Sequence, residues 1–600
     1  MTPPRGWRHH SAANAAQVPR GPRPWPLTTV LQLTLQFALP AGWLVPAIAT
    51  AATATVATAV TAVTAVTAVT AVTAVTAATA ATAATAATAT VAAGTTATAI
   101  AAATATASRQ ALAAAPPPAT QPCRLDGLAT AARCGVLRRA LDPARPHGAQ
   151  IDLHYAVVPA LARQAAADPV FFFAGGPGQS AIALAGVLTA RQSRLNQRRD
   201  LVFIDQRGTG RSAPLKCADD DERAQLQPLA PRADEAQRLA RLRDCRRALQ
   251  ALPHGDLRFY STEIATGDVD AVRQALGVLR FNAIGVSYGT RVVLDLLRQH
   301  PQTVRRAVLD GVAPPDMRLA HSAALDNQAA LDAMLSACAV EPACARRHPA
   351  LPEQWQALLA ALPRSVSLPH PISGRQERVT LQRSTLLSLV RAPLYAPVLA
   401  SALPAAIAEA HAGRWAPLAT LASALGGGRG GTLYTGMHLA VVCAEDFGAA
   451  APPVAAADAA AAVAPGNAFG DTFARHYQAA CADWPLAMPS PAFYTLPKLA
   501  PAGALVWLLS GGLDPVTPPR HGARVAQALG PRARHIVVQN AGHGVAQLGC
   551  LRDAVQRFIS TEDDASALAV AADCAAGVPR PLAFVPPGSA GAAAADGALR

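Results

Sequence analysis

Short, largely apolar runs, each ending in a loop that carries glycine or aspartate, recur through the middle of the chain. Residues 169–174, 201–204, 281–286, 304–310, 504–510 and 535–539 have strand length, and nearly continuous apolar runs mark strands buried on both faces. Val292, Val293, Leu294, Leu296 and Leu297 continue as a helix as far as His300 and Pro301, and another helix begins near Thr262. Strands alternating with helices predict an α/β fold, a mostly parallel central sheet with helices on both faces. The rhythm stops between Pro314 and Trp484, where residues 323–335 and 355–362 are helical in pattern. An inserted helical cap is therefore expected at 316–490, between a first core part at 116–315 and a second at 491–580.

The two ends read differently. From Thr58 to Thr88 threonine recurs at every third position with Ala and Val between, a period that fits neither a helix face nor a strand. With no large side chains to build a core, residues 51–115 are expected to be a low-complexity linker, and residues 581–600 a disordered tail. Ahead of the tract, Arg5, Arg8, Arg20 and Arg23 precede an apolar stretch from Leu27 to Ala49, interrupted by Gln32, Gln36 and Pro40. This is the layout of an export signal, assigned to residues 1–50. An uncleaved anchor is the rival, because the stretch approaches the ~20 residues of a membrane span. No comparable run follows, so no stable span is expected in the mature chain.

Composition alters this picture little. Hydrophobic residues make up 51% of the chain, but the Ala/Thr tract inflates that figure. The net charge of +14 comes almost wholly from scattered arginines without aromatic interleaving, which argues against a nucleic-acid partner and supports at most attraction to an anionic envelope surface. The cysteines add more. Ten is an even number and no Cys-x-x-Cys spacing suggests zinc, so disulfides are expected, with no metal and no cofactor. Connectivity is open in the sequence; sequential pairing is the expectation, joining Cys123 to Cys134, Cys217 to Cys245, Cys338 to Cys344, Cys443 to Cys481 and Cys550 to Cys574. Disulfides persist in oxidising compartments, which agrees with export to the periplasm or beyond.

The chemistry is concentrated in four loops. Gly285-Val286-Ser287-Tyr288-Gly289 lies between an apolar strand and a helix, the setting of a nucleophile elbow, in which a sharp turn projects the serine hydroxyl from the top of a sheet. Such a serine needs a base and an acid to orient it. Asp514 follows the strand 504–510 and His543 follows the strand 535–539, so the order along the chain is Ser, acid, His. An oxyanion would be held by the amide of Tyr288, next to the serine, and by that of Gly176 in the loop Gly175-Gly176-Pro177-Gly178 after the strand 169–174.

In combination, Gly175-Gly176-Pro177-Gly178, the loop from Asp205 to Ser212 and the elbow resemble the prolyl iminopeptidase and tripeptidyl aminopeptidase family of α/β-hydrolase serine peptidases. The similarity continues through residues 509–519, Gly542-His543-Gly544 and residues 481–485, and spans roughly residues 120–575. Ala174 stands where many cytoplasmic members carry His, which favours the secreted branch. The resemblance implies an α/β-hydrolase fold whose cap sets substrate choice. Within that cap, Glu445 and Asp446 follow an apolar run, and Glu445 is the candidate anchor for a substrate ammonium, in line with the family's use of cap acids. Asp205 and Arg207 are read as charges that pair with each other to fix their loop, and Asp268 and Arg273 as scaffold contacts within one helix. The expectation is an exported hydrolase acting on peptides with a free N terminus and releasing proline or a short N-terminal fragment. An esterase with the same triad is the alternative, and a non-enzymatic envelope-binding protein the more distant one.

Overall fold

The computed structural model describes residues 120–424 and 433–584. The expected export signal, the Ala/Thr linker and most of the expected tail lie outside the described residues.

Nine strands form the central sheet in the order β1-β2-β3-β5-β4-β6-β7-β10-β11. Strands β4 (Val170–Phe173), β5 (Leu201–Ile204), β6 (Phe281–Val286), β7 (Val304–Asp310), β10 (Leu505–Gly511) and β11 (Ala533–Val538) run parallel. The edge of β1 (Gln121–Cys123), β2 (Ala132–Ala140) and β3 (Gln150–Val158) is antiparallel. Alternate residues of each strand serve opposite faces. Phe171 and Phe173 pack with Val292, Leu296 and Val272 on one side. Val170, Phe172 and Phe203 pack with Leu551, Val555 and Phe558 on the other. Every residue of β4, β5 and β10 is buried, which is why these strands read as uninterrupted apolar runs.

The chain leaves the sheet after β7 and returns at β10. Between them lie the helices Leu319–Val340, Leu351–Ala360, Arg383–Leu394, Leu403–His411, Thr435–Asp446 and Thr472–Cys481. A separate core of Leu331, Trp355, Leu386, Leu387, Ile407 and Phe469 holds most of them together. The inserted cap also carries two strands. Strands β8 (Arg364–Pro369) and β9 (Gln376–Leu381) form an antiparallel hairpin that buries Val366, Leu368, Val379 and Leu381 and exposes most of the residues between. The expected tail is corrected at its start, because the amide of Ala583 donates to Glu341 Oε2 and that of Phe584 to Ser401 O.

All ten cysteines pair in sequence order, Cys123 with Cys134, Cys217 with Cys245, Cys338 with Cys344, Cys443 with Cys481 and Cys550 with Cys574. No helix among the described residues is long and apolar enough to cross a membrane.

Arg207 and Asp205 do not pair with each other. Arg207 is fully buried and forms a bidentate pair with Asp268 at 2.6 and 3.0 Å, and its Nη1 donates to Leu141 O and Phe259 O. Asp205 accepts instead from the Ser180 hydroxyl and the Ile182 amide, so it braces the loop after β4. Arg273 pairs with Asp270, not Asp268. Removing one partner of a buried pair strands the other charge, at a cost of about 3–5 kcal/mol. Arg139 also reaches Asp268, at 3.2 Å, and keeps part of the compensation. Arg207→Met is therefore expected to lower the unfolding free energy by about 3 kcal/mol, the low end of that range, in urea denaturation. An unchanged midpoint would mean that the pair only marks the loop's position.

Candidate active site

Ser287 sits between β6 and the helix Tyr288–Gln299 with φ 56° and ψ −124°, a backbone conformation that costs energy for any residue but glycine. Its neighbours make the turn possible. A Cβ on Gly285 would lie 2.5 Å from Gly289 O, and one on Gly289 would lie 2.2 Å from Phe173 O. The Ser287 amide donates to Asp310 O at 2.8 Å, and its carbonyl accepts from the Thr290 hydroxyl at 2.6 Å. The turn that aims the side chain is thus held through the serine's own amide and carbonyl.

Asp514 and His543 meet from neighbouring strand ends. His543 Nδ1 lies 2.8 Å from Asp514 Oδ2 and 3.1 Å from Thr517 Oγ1. Asp514 is buried, and its Oδ1 accepts the amides of Val516 and Thr517 while Oδ2 also accepts the Thr517 hydroxyl. Burial alone would raise the Asp514 carboxyl, but the charge and hydrogen bond of His543, together with the two amides, outweigh it and hold the carboxyl below its ordinary value. Burial likewise works to lower His543, and Asp514, aided by Asp310, prevails and raises it.

Asp310 is a further member that the sequence did not reveal. Its carbonyl holds Ser287, as above, and its carboxylate accepts the amides of Val545 and Ala546 at 2.8–2.9 Å, just past His543. One residue at the end of β7 therefore locates both side chains. From the cap, Tyr395 O accepts the His543 amide at 2.9 Å, and the Tyr395 ring stands edge-on to the imidazole at 5.2 Å.

The loop after β4 closes the site from the other side. Gly176 has φ 110° and Gly178 φ 104°, and a Cβ on Gly175 would lie 3.2 Å from Ser287 Cβ. Tyr288, the first residue of the elbow helix, anchors its phenol to Thr262 Oγ1 at 2.7 Å and to Gln206 Nε2 at 2.9 Å. Gly178 O accepts the Tyr434 amide, and His438 Nδ1 lies 3.1 Å from Pro177 O, so the cap helix Thr435–Asp446 is fastened to this loop. A carbonyl can only accept, so Nδ1 of His438 carries the proton and Nε2 accepts from the Tyr477 hydroxyl at 2.7 Å. Burial pushes His438 down to about 4, which keeps it in this neutral form.

Glu445 and Asp446 are not where the expected ammonium anchor should be. Both are buried at the end of the helix Thr435–Asp446. Glu445 Oε2 accepts from Arg291 Nη1 at 2.9 Å and Oε1 from the Thr262 amide at 2.8 Å, so both oxygens are engaged within the fold and buried with it. Asp446 accepts the Ala320 amide and lies 3.6 Å from Arg291. An apolar run ending in two acids looks the same in sequence whether the acids face a cavity or a buried arginine 154 positions away. Glu445→Gln is therefore expected to lower the unfolding free energy by about 1.5–3 kcal/mol, the worth of a hydrogen bond to a charged group. The ratio of kcat/KM between free-amine and N-acetylated substrates should not change, and a selective loss of free-amine turnover would restore the anchor.

Residues 168–342 match the family model described as alpha/beta hydrolase fold, and residues 466–564 match that described as TAP-like protein. The tripeptidyl aminopeptidase of Streptomyces coelicolor is 30% identical over 229 residues, 35% of this chain and 41% of that protein. Serine protease Hip1 of Mycobacterium tuberculosis is 30% identical over 207 residues, 32% of this chain and 39% of that protein. Proline iminopeptidase of Neisseria meningitidis is 27% identical over 145 residues, 24% of this chain and 32% of that protein. The chain thus spans about two fifths of the length of the first two relatives. Its fold is that of the α/β-hydrolases, and the family resemblance seen in the motifs is shared with these relatives.

Proposed function

We propose that the chain is an exported serine hydrolase, an aminopeptidase that releases proline or a short N-terminal peptide through an acyl-enzyme. The observation that supports it most is the 2.8 Å contact of His543 Nδ1 with Asp514 Oδ2, past the carboxyl ends of the parallel strands, where Ser287 also stands on its strained turn. In this reading Ser287 Oγ attacks the scissile carbonyl and His543 Nε2 takes its proton, then returns it to the leaving amine. Water hydrolyses the acyl ester with the same imidazole as base. Asp514 keeps the proton on Nδ1 and stabilises the imidazolium. The amides of Tyr288 and Gly176 receive the oxyanion; the glycine at 176, with φ 110°, lets the backbone approach the substrate closely.

The relatives named as tripeptidyl aminopeptidase and proline iminopeptidase support a peptide over an ester substrate. Five disulfides support export. The test is labelling by a fluorophosphonate probe, followed by a panel of aminoacyl and tripeptidyl amides with free and N-acetylated amines. Label on Ser287 and preference for the free amine are expected. Absence of label ends the hydrolase reading, whereas equal cleavage of N-acetylated substrates or plain esters leaves an esterase.

A further inference from the structure

Arg391, on the cap helix Arg383–Leu394, stands beside the tyrosine that touches His543. Its Nε donates to Asn327 Oδ1 at 3.2 Å and its Nη2 to Tyr395 OH at 2.7 Å. The guanidinium lies over the rings of Tyr395 and Phe473, at 5.3 and 5.2 Å from their centroids. These contacts fix its plane and, among the described residues, leave its charge unmatched, because an amide oxygen, a phenol and two ring faces carry no formal charge. Arg207 and Arg291, by contrast, each face a buried carboxylate. Nη1 of Arg391 makes no hydrogen bond among the described residues and is not sealed in the interior.

The charge also lies close to the working groups. Tyr395, whose hydroxyl accepts from Arg391, stands edge-on to the His543 imidazole at 5.2 Å, and its carbonyl accepts the His543 amide at 2.9 Å. A rigid guanidinium with one free edge in that place suits an oxyanion with two lone-pair faces, and a carboxylate is the form in which a peptide carries one.

We propose that Arg391 anchors an anion subsite, so that the peptides this site selects bear a carboxylate within reach of the cap. The proposal rests on the peptidase reading above. The carboxylate has two sources, an acidic side chain on the acyl side of the scissile bond or the free C terminus of a short leaving peptide, and matched substrates separate them.

The test compares kcat/KM for Ala-Ala-Glu p-nitroanilide with Ala-Ala-Gln p-nitroanilide, and for Ala-Ala-Ala-Ala with its C-terminal amide. The unsubstituted enzyme should prefer the charged member of at least one pair by about tenfold or more, as expected of one charge-assisted contact. Arg391→Gln should bring that ratio to near one, and Arg391→Lys should retain part of it. Because each ratio is taken on one protein, a general loss of activity or stability cancels. Should no peptide turn over, the same ratio is read with mono-p-nitrophenyl succinate against p-nitrophenyl acetate, so that failure of the peptidase reading and failure of the subsite stay distinct. Ratios near one in the unsubstituted enzyme, or a preference that survives in Arg391→Gln, overturn the proposal.

Discussion

Alanine at Ser287 is expected to lower kcat by about 10⁶-fold, the loss typical of removing a triad nucleophile. The fold should not suffer. The strain of φ 56° is the same for alanine as for serine, and the bonds that define the turn come from the Ser287 amide and carbonyl, which alanine retains. Thermal unfolding should therefore be unchanged while fluorophosphonate labelling disappears. Residual turnover above about a thousandth of the parent rate, with intact folding, would place the nucleophile elsewhere.

Asparagine at Asp514 should cost about 10⁴-fold in kcat/KM, because the amide cannot hold the imidazole in the tautomer that accepts a proton on Nε2. It should also move the pH profile. His543 acts as a base only when neutral, so kcat/KM falls as pH drops through its pKa. Burial pulls that pKa down and Asp514 is the strongest influence pulling it up, with a net rise above the ordinary histidine value. Removing the carboxylate leaves burial less opposed, and the acidic limb must shift to lower pH. Thr517 Oγ1, 3.1 Å from Nδ1, keeps the ring near its place, so the shift should be measurable on a folded protein. A limb that stays put, or moves to higher pH, would mean that the titrating group is not His543 paired with Asp514.

The elements legible in the sequence are those whose signal is local. A buried strand followed by glycine, serine and a helix announces the elbow within ten residues, and Asp514 and His543 each stand on a loop just past an apolar run. Near-neighbour cysteines meet for a similar reason, since short loops bring their ends together readily. Residues that act across the chain left no such trace. Asp310 lies at the end of β7, 235 positions before Val545, whose amide it accepts. Tyr395 and His438 reach the site from cap helices whose packing no periodicity records. Glu445 was misplaced because its partner, Arg291, belongs to the elbow helix. The hairpin of β8 and β9 escaped because each strand buries only two residues in alternation, a signal too short to rise above the helical pattern around it.

The sequential cysteine pairs have a consequence for how the molecule comes apart. Stretches 135–216, 246–337, 345–442 and 482–549 contain no half of any crosslink, and no bridge spans them. A single nick of the backbone in any of these stretches therefore leaves two pieces with no covalent tie. They remain associated only through packing, and a denaturant without reductant parts them. A nick between Cys443 and Cys481 behaves otherwise, since that bridge keeps the two ends joined until it is reduced. Proteolytic fragments run on non-reducing gels thus report on which side of a bridge the chain was cut, and the five crosslinks serve as local staples, none of them a girdle around the whole fold.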